Sequence, residues 1–205
     1  MKKYDKSILI GLILGDGYIY KYFDKRWESF SYSVKIKHCI KQKKYLEYKA
    51  LKLNSILGGA QNKVIEINNN GYPGCQYSKG SKHLKSIYNL LYKDKKKKIR
   101  RQVLNHLNAE GIAFWYMDDG SVYPQKKNGK IHAYQLVIST CCDTEDEANE
   151  IIDYFQETWN VQFRIKRNKG KYSITCNTRE IRKFMPIVKP YVEKIDCMKY
   201  KIVDI

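Results

Sequence analysis

Two apolar segments that both close on Asp-Gly lie half a chain apart, and any fold for this sequence must accommodate the pair. Residues 9–17 read LIGLILGDG and residues 112–120 read IAFWYMDDG, an offset of 103 in a chain of 205. A repeat at that spacing points to two similar units. The residues after each segment also match. After the first come YIYKYF, a turn over residues 24–28 and the alternating SFSYSVKIKH; after the second come SVYPQKKNGK and AYQLVIST. Period-two alternation reads as a hairpin in each half. Helices are expected at residues 40–57 and 144–159, and closing helices at 82–92 and 179–192. Further strand pairs are expected at 63–68 with 74–79, turning at 69–73, and at 161–167 with 171–177, turning at 168–170. Each half thus runs α-β-β-α-β-β-α, an α+β architecture with pseudo-twofold symmetry, divided into residues 1–99 and 100–205. The same offset carries Asp5 onto Asn108, and both are residue types that cap helix N-termini.

A helix that ends in Asp-Gly raises an electrostatic question. The helix C-terminus carries partial negative charge, so an aspartate in its last turn is unfavourable. The glycines are simpler to explain, since Gly17 and Gly120 are expected to take the left-handed position that ends a helix. Two aspartates at matched places, Asp16 and Asp119, call for a cation nearby. Gly11 and Gly15 lie four apart on one helix face and allow a second backbone to approach, with Ala113 as the small residue opposite. Helices packed side by side about the pseudo-twofold axis would bring the two carboxylates together. A divalent cation with a preference for oxygen ligands, Mg²⁺ or Mn²⁺, relieves their repulsion.

The charge balance identifies the partner class. Thirty-nine Lys and Arg against 21 Asp and Glu give a formal net charge of +18. Such an excess is best explained by a polyanion, and nucleic acid leads. The strand faces agree. Ser33, Lys35 and Lys37 alternate with Tyr32, Val34 and Ile36; Arg164 and Lys166 alternate with Phe163 and Ile165; Lys171, Ser173 and Thr175 alternate with Tyr172, Ile174 and Cys176. Gln135 and Ser139 hold the corresponding face of the strand at 133–140. Each sheet therefore has one apolar face for helices and one polar, basic face suited to phosphates and base edges. No basic amphipathic helix favours a membrane surface instead. The apolar run at residues 8–14 is too short to span a bilayer, and no small-residue cleavage site follows it. An intracellular protein of the cytoplasm or an organelle matrix is expected. Six cysteines without a C-x-x-C pair and four scattered histidines argue against a zinc finger or zinc-type nuclease, leaving reduced core cysteines.

At the two Asp-Gly segments the chain resembles the LAGLIDADG homing endonucleases of the single-chain, two-motif type. The first segment departs at Leu14, which replaces the inner acidic residue, and the second at Phe114 and Met117. The resemblance covers nearly the whole chain, because the element order of each half also matches. It implies two antiparallel sheets forming a DNA-binding saddle, and metal-dependent hydrolysis of both strands of a long, asymmetric double-stranded target by a monomer. It maps the catalytic, metal-binding acids onto Asp16 and Asp119, with backbone carbonyls of Gly15 and Asp118 assisting. It also implies a lysine late in each half, Lys97 within the run 95–98 and Lys201, 104 positions apart. A non-cleaving DNA-binding regulator or an intron RNA maturase on the same fold is the alternative, and added binding of intron RNA stays open. The chain opens at Met1 with no splicing half beside it, so a free-standing enzyme is expected rather than an intein-embedded domain.

Overall fold

Helix α1 (Lys3–Leu14) is buried without interruption from Ser7 to Leu14, and a helix covered on all sides belongs at the centre of a molecule. Its partner is α5 (Ala109–Asp119), buried from Glu110 to Met117. In this computed structural model residues 1–69, 71–168 and 170–205 are described. Asn70 and Lys169, inside two of the expected turns, lie outside the described residues, as do the side chains of Asn69, Cys141 and Asn168.

The two helices touch through glycine. A Cβ on Gly11 would lie 2.1 Å from the carbonyl oxygen of Gly111, and one on Gly111 would lie 2.4 Å from Ser7 Oγ. Gly15 continues the seam, since a Cβ there would lie 2.3 Å from Asp118 Oδ2. The expected partner, Ala113, is buried but is not the contact; Gly111, two residues earlier and outside the aligned segment, is. Ser7 closes the crossing, donating to Asn108 Oδ1 and accepting from Asn108 N, each at 2.8 Å.

Around this pair the halves repeat. The first runs β1 (Tyr18–Asp24), β2 (Ser29–Cys39), α2 (Lys43–Leu57), β3 (Ile65–Asn69), β4 (Tyr72–Gly80) and α3 (Leu84–Leu91). A short hairpin, β5 (Tyr92–Lys93) and β6 (Lys96–Lys97), and a turn of helix, α4 (Arg101–Leu104), lead into α5. The second half continues with β7 (Gly120–Lys127), β8 (Lys130–Cys142), α6 (Glu145–Trp159), β9 (Arg164–Asn168), β10 (Lys171–Asn177) and α7 (Thr178–Val192). The strand orders are β1-β2-β4-β3 and β7-β8-β10-β9, all pairs antiparallel, so the sheets are topologically the same. Tyr32, Val34, Ile36, Cys75 and Tyr77 turn inward in one, and Leu136, Ile138, Ile174 and Cys176 in the other. The opposite faces stay open. The expected α+β order of each half is what the chain adopts.

Local chemistry explains the element ends. Asn108 caps α5 by accepting from Gly111 N at 3.0 Å, Thr144 caps α6 from Glu147 N at 3.2 Å, and Asn177 caps α7 from Glu180 N at 3.3 Å. Asn128 and Gly129, both at positive φ, form the tight turn of the β7–β8 hairpin. Asp5 is not a cap: α1 begins at Lys3 behind Lys2, and Asp5 sits in the first turn, where its charge suits the helix dipole. Gly17 and Gly120 are not left-handed either. Steric room explains them, because a Cβ on Gly17 would lie 2.5 Å from Leu12 O and one on Gly120 2.0 Å from the Tyr116 ring.

Since the Gly11–Gly111 contact leaves no room for one carbon, Gly11→Ala must push the helices apart or strain both. The expected cost is about 1–3 kcal/mol or more, as for other overpacked interiors. Urea denaturation measures it, and an unchanged midpoint would show that the crossing is not tight.

Candidate active site

Helix α1 ends at Leu14, so Asp16 stands just past it, whereas Asp119 is the last residue of α5. The Asp16 side chain keeps 43 % of its surface exposed. Burial raises its pKa above the usual carboxylate range, nearby Asp118 adds to the rise, and Lys49, Lys97 and Lys201 oppose it. Asp119 is pushed up to about 7 by burial and by the charges of Asp118 and Asp16, against the pull of Lys97. Three carboxylates thus crowd the place where the two helices end. That is the charge distribution a divalent cation relieves.

Lys97 and Lys201 both reach main-chain carbonyls at the ends of these helices. In β6, Lys97 turns in and donates to Ile13 O at 2.6 Å and Gly15 O at 3.0 Å, filling carbonyls that the end of α1 leaves free. Its neighbour Lys98 pairs outward with Asp143 and Glu147. Lys97 and Asp119 line one cavity of about 260 Å³ with Gly15, Ser139 and Thr140. Lys201, only 8 % exposed, donates to Gly120 O, and its own carbonyl accepts from Tyr116 OH at 2.6 Å. Burial lowers the Lys201 pKa, while Asp118, Asp119 and Asp16 hold it up.

A second cluster was not foreseen. The Asp118 side chain is fully buried and accepts from Lys49 Nζ at 2.6 and 2.8 Å, from Tyr45 OH at 2.9 Å and from Asp16 N at 3.0 Å. Lys49, also fully buried, donates its third bond to His38 Nε2 at 2.9 Å. Because Nε2 accepts, the proton of a neutral imidazole sits on Nδ1, which faces Gln42 Oε1 at 3.1 Å and Asp16 Oδ2 at 3.6 Å. Burial and then Lys49 push the His38 pKa down to about 4, so the ring is neutral near pH 7. Asp16, His38 and Asp118 each offer a ligand atom within 4.8 Å of the others. The Lys49 ammonium already holds the Asp118 carboxylate and His38 Nε2, so it supplies the positive charge a metal would bring. Sequence did carry a signal: His38 continues the inward positions Tyr32, Val34 and Ile36, and Lys49 falls on the α2 face of Tyr45, Leu46 and Leu53. A lysine on an apolar stripe implies a buried partner, because lysines are almost never fully buried unpaired.

The open faces carry most of the expected contact residues. Ser33, Lys35 and Lys37 lie opposite Tyr20, Tyr18 and Gln76 in the first sheet. Tyr20 and Tyr22 stack there at 5.5 Å, an aromatic stripe that sequence reading did not assign. In the second sheet Gln135 Nε2 donates to Thr175 Oγ1 at 3.1 Å, and Gln135 Oε1 accepts from Tyr123 OH at 3.0 Å and Gln125 Nε2 at 3.3 Å. Lys166 joins through Tyr123 OH at 3.1 Å, and Arg164 lines a cavity of about 460 Å³ with Gln125, Gln135 and Thr175. Ser139 is exposed. Two residues fit the surface less well. Ser173 is buried, beside the bulge where β10 meets β8, and Lys171 is bound to Asp143.

This arrangement, two like halves that bring paired acids between two basic sheet faces, defines a DNA endonuclease built from a duplicated unit. The LAGLIDADG DNA endonuclease family profile matches residues 6–184, and the chain belongs to that family. It is 28 % identical over 206 residues to the probable intron-encoded endonuclease 1 of Wickerhamomyces canadensis, covering 98 % of this chain and 85 % of that one. The structure is similar to that of the homing endonuclease I-WcaI bound to its DNA recognition sequence, with a TM-score of 0.80 and 26 % identity over 100 % of this chain and 88 % of the other. I-DmoI in complex with DNA and Mn shares the fold, with a TM-score of 0.55 and 17 % identity over 91 % of this chain and 96 % of that one. The protein is a site-specific DNA endonuclease of the homing type. Among the described residues no helix is long and apolar enough to cross a membrane.

A cation held at Asp119 would require the ionised carboxyl, which burial and the charges of Asp118 and Asp16 push up to about 7. Below that pH it must release a proton to bind, so apparent affinity should fall by about tenfold per pH unit and level off above roughly pH 8. Titrating the DNA complex with Ca²⁺ across this range tests it; an affinity flat down to about pH 5.5 would contradict the raised value.

Proposed function

We propose that the chain acts as a monomer of two halves, residues 1–99 and 100–205, that cuts both strands of a long, asymmetric double-stranded DNA target. Asp16 and Asp119 hold the catalytic metal, Mg²⁺ or Mn²⁺, with the main-chain carbonyls of Gly15 and Asp118 beside them. The observation that carries this reading is the meeting of two desolvated carboxylates at the end of the α1–α5 seam, each with its pKa raised. Their oxygens are hard ligands of the kind these ions take. The Asp118 side chain has no exposed surface although the residue is half-buried, so its exposure lies in the main chain, as a carbonyl ligand needs. Relatives support the metal class: I-DmoI has been crystallised with DNA and Mn and with DNA and Ca.

A bound divalent ion would supply an activated water and charge stabilisation at the leaving oxygen. The protein's own groups do the rest. Lys97 shares the cavity of Asp119 and can offset charge on a phosphate placed there. Lys201, fixed by Gly120 O and by the Tyr116 hydroxyl on its carbonyl, offers a second positioned donor. The duplex lies across the open faces, with Ser33, Lys35 and Lys37 on one side and Gln135, Ser139, Arg164, Lys166 and Thr175 on the other; Lys171 and Ser173 stand at the margin. The bonded set of Tyr123, Gln125, Gln135 and Thr175 presents its amides in a fixed orientation, which favours base reading over phosphate anchoring.

Asp16→Asn and Asp119→Asn should each abolish double-strand cleavage and leave DNA binding intact or tighter, because each removes one repelling charge. The assay is cleavage of a duplex carrying the uninterrupted sequence that flanks this chain's reading frame, alongside binding in Ca²⁺. Normal cutting of both strands by either variant would show that the acids are misassigned.

A further inference from the structure

The two aspartates do not have equivalent surroundings. Beside Asp119 the seam residue is Gly15, and the nearby end of β8 offers Ser139 and Thr140 around an open cavity. Beside Asp16 the seam residue is Asp118, and the matching end of β2 offers His38. Val34 and Ile36 on β2 correspond to Leu136 and Ile138 on β8 as the inward residues of the second strand, so His38 corresponds to Thr140. The same register along α2 and α6 places buried Lys49 where α6 has buried Ile151. The surroundings of Asp119 therefore carry a glycine, a hydroxyl and an isoleucine where those of Asp16 carry a carboxylate, an imidazole and an ammonium.

Burying that charged set costs solvation, so a purely structural role explains it poorly; replacement by packed apolar side chains is often neutral or stabilising. Its geometry leads to the reacting centre. Asp118 fixes Lys49 through two bonds, Lys49 fixes the His38 ring through Nε2, and the ring directs its Nδ1–H toward Gln42 and Asp16. Asp118 also accepts from the Asp16 main-chain N–H, so the network grips the Asp16 backbone, and it sets His38 Nδ1, bonded to Gln42, 3.6 Å from the Asp16 carboxylate. Gln42 is itself held from beyond, its amide donating to Tyr200 OH at 3.3 Å. The Asp119 side lacks the matching Asp, Lys and His.

We propose that His38 is a positioning residue for Asp16 and that the Asp118–Lys49–His38 network makes the two cleavage centres unequal, one strand depending on it and the other not. This rests on the reading of Asp16 and Asp119 as the metal-holding acids. The ring orients the Asp16 carboxylate by the N–H it presents, much as partners behind a metal ligand fix its rotamer.

The test is single-turnover cleavage of the flanking-sequence duplex labelled with a different dye on each strand. His38→Ala should slow one strand by about tenfold relative to the other, the size seen when such supporting partners are removed, and nicked duplex should accumulate. His38→Asn, whose side-chain amide can place an N–H where Nδ1–H stood, should bring the strand ratio back toward that of the unaltered protein. Partial unfolding lowers both strand rates by one factor and leaves the ratio unchanged, so the ratio isolates the positioning role. Equal slowing of both strands, no change, or a bias in His38→Asn as large as in His38→Ala would overturn the proposal. Asp16→Asn run in parallel separates the two levels. If it still cuts both strands, the assignment of Asp16 itself falls; if it is inactive while His38→Ala keeps the strand ratio, only the role of His38 falls.

Discussion

The contact of Gly11 with Gly111 sets the distance between α1 and α5, and the position of every reacting group depends on that distance. A second close approach, Gly15 against Asp118, carries the seam from Gly11 and Gly111 to the ends of the two helices, which therefore finish side by side. Their ends deliver Asp16 and Asp119 into one region, and the chain leaving each helix enters the first strand of its sheet, β1 or β7. The sheets are thereby fixed relative to the acids without a separate device. Each sheet packs its apolar face onto helices and leaves a polar face open beside the acids. Such precision from backbone contact suits a reaction in which small displacements are costly.

Electrostatics then works against stability at the same place. Burial and then the charge of Asp118 raise the proton affinity of Asp16, and burial with the charges of Asp118 and Asp16 raises that of Asp119. Asp118 is neutralised within the protein by Lys49, a pair with no exposed side-chain surface on either partner. Removing one member of such a pair costs about 3–5 kcal/mol, because the other is left buried and charged. Lys97 and Lys201 reach main-chain carbonyls at the helix ends and face the remaining two acids from opposite halves. Three lysines thus stand against three acids, so what the site offers a cation is carboxylate oxygens at the helix ends rather than a surplus of negative charge.

Much of this was legible in the sequence because it is periodic. The 103-residue offset, the alternation of β2 and the cap at Asn108 all depend on local spacing, and the structure agrees with them. The same offset carries Lys201 onto Lys98, one past Lys97, so spacing narrowed the run at 95–98 without choosing the residue. The features that stayed hidden depend on long-range placement. Gly111 sits outside the repeated segment, and only the crossing of the helices gives it a role. Gly17 and Gly120 suggested left-handed turns, yet Leu12 and the Tyr116 ring require their missing side chains. The bond from Lys49 to Asp118 spans 69 positions, and no pattern within one half could foretell it. The bulge in β10 likewise takes Ser173 out of the surface that alternation assigned to it.

Paired acids at the end of a glycine seam are proposed here to hold the catalytic cation. Anomalous scattering from Mn²⁺ in a crystal of the protein with its DNA target tests that claim most directly. Density is expected at roughly 2.0–2.2 Å from carboxylate oxygens of both Asp16 and Asp119, the range for hard divalent ions of this size. Density within the buried Asp118–Lys49–His38 cluster, with none at Asp119, would contradict it.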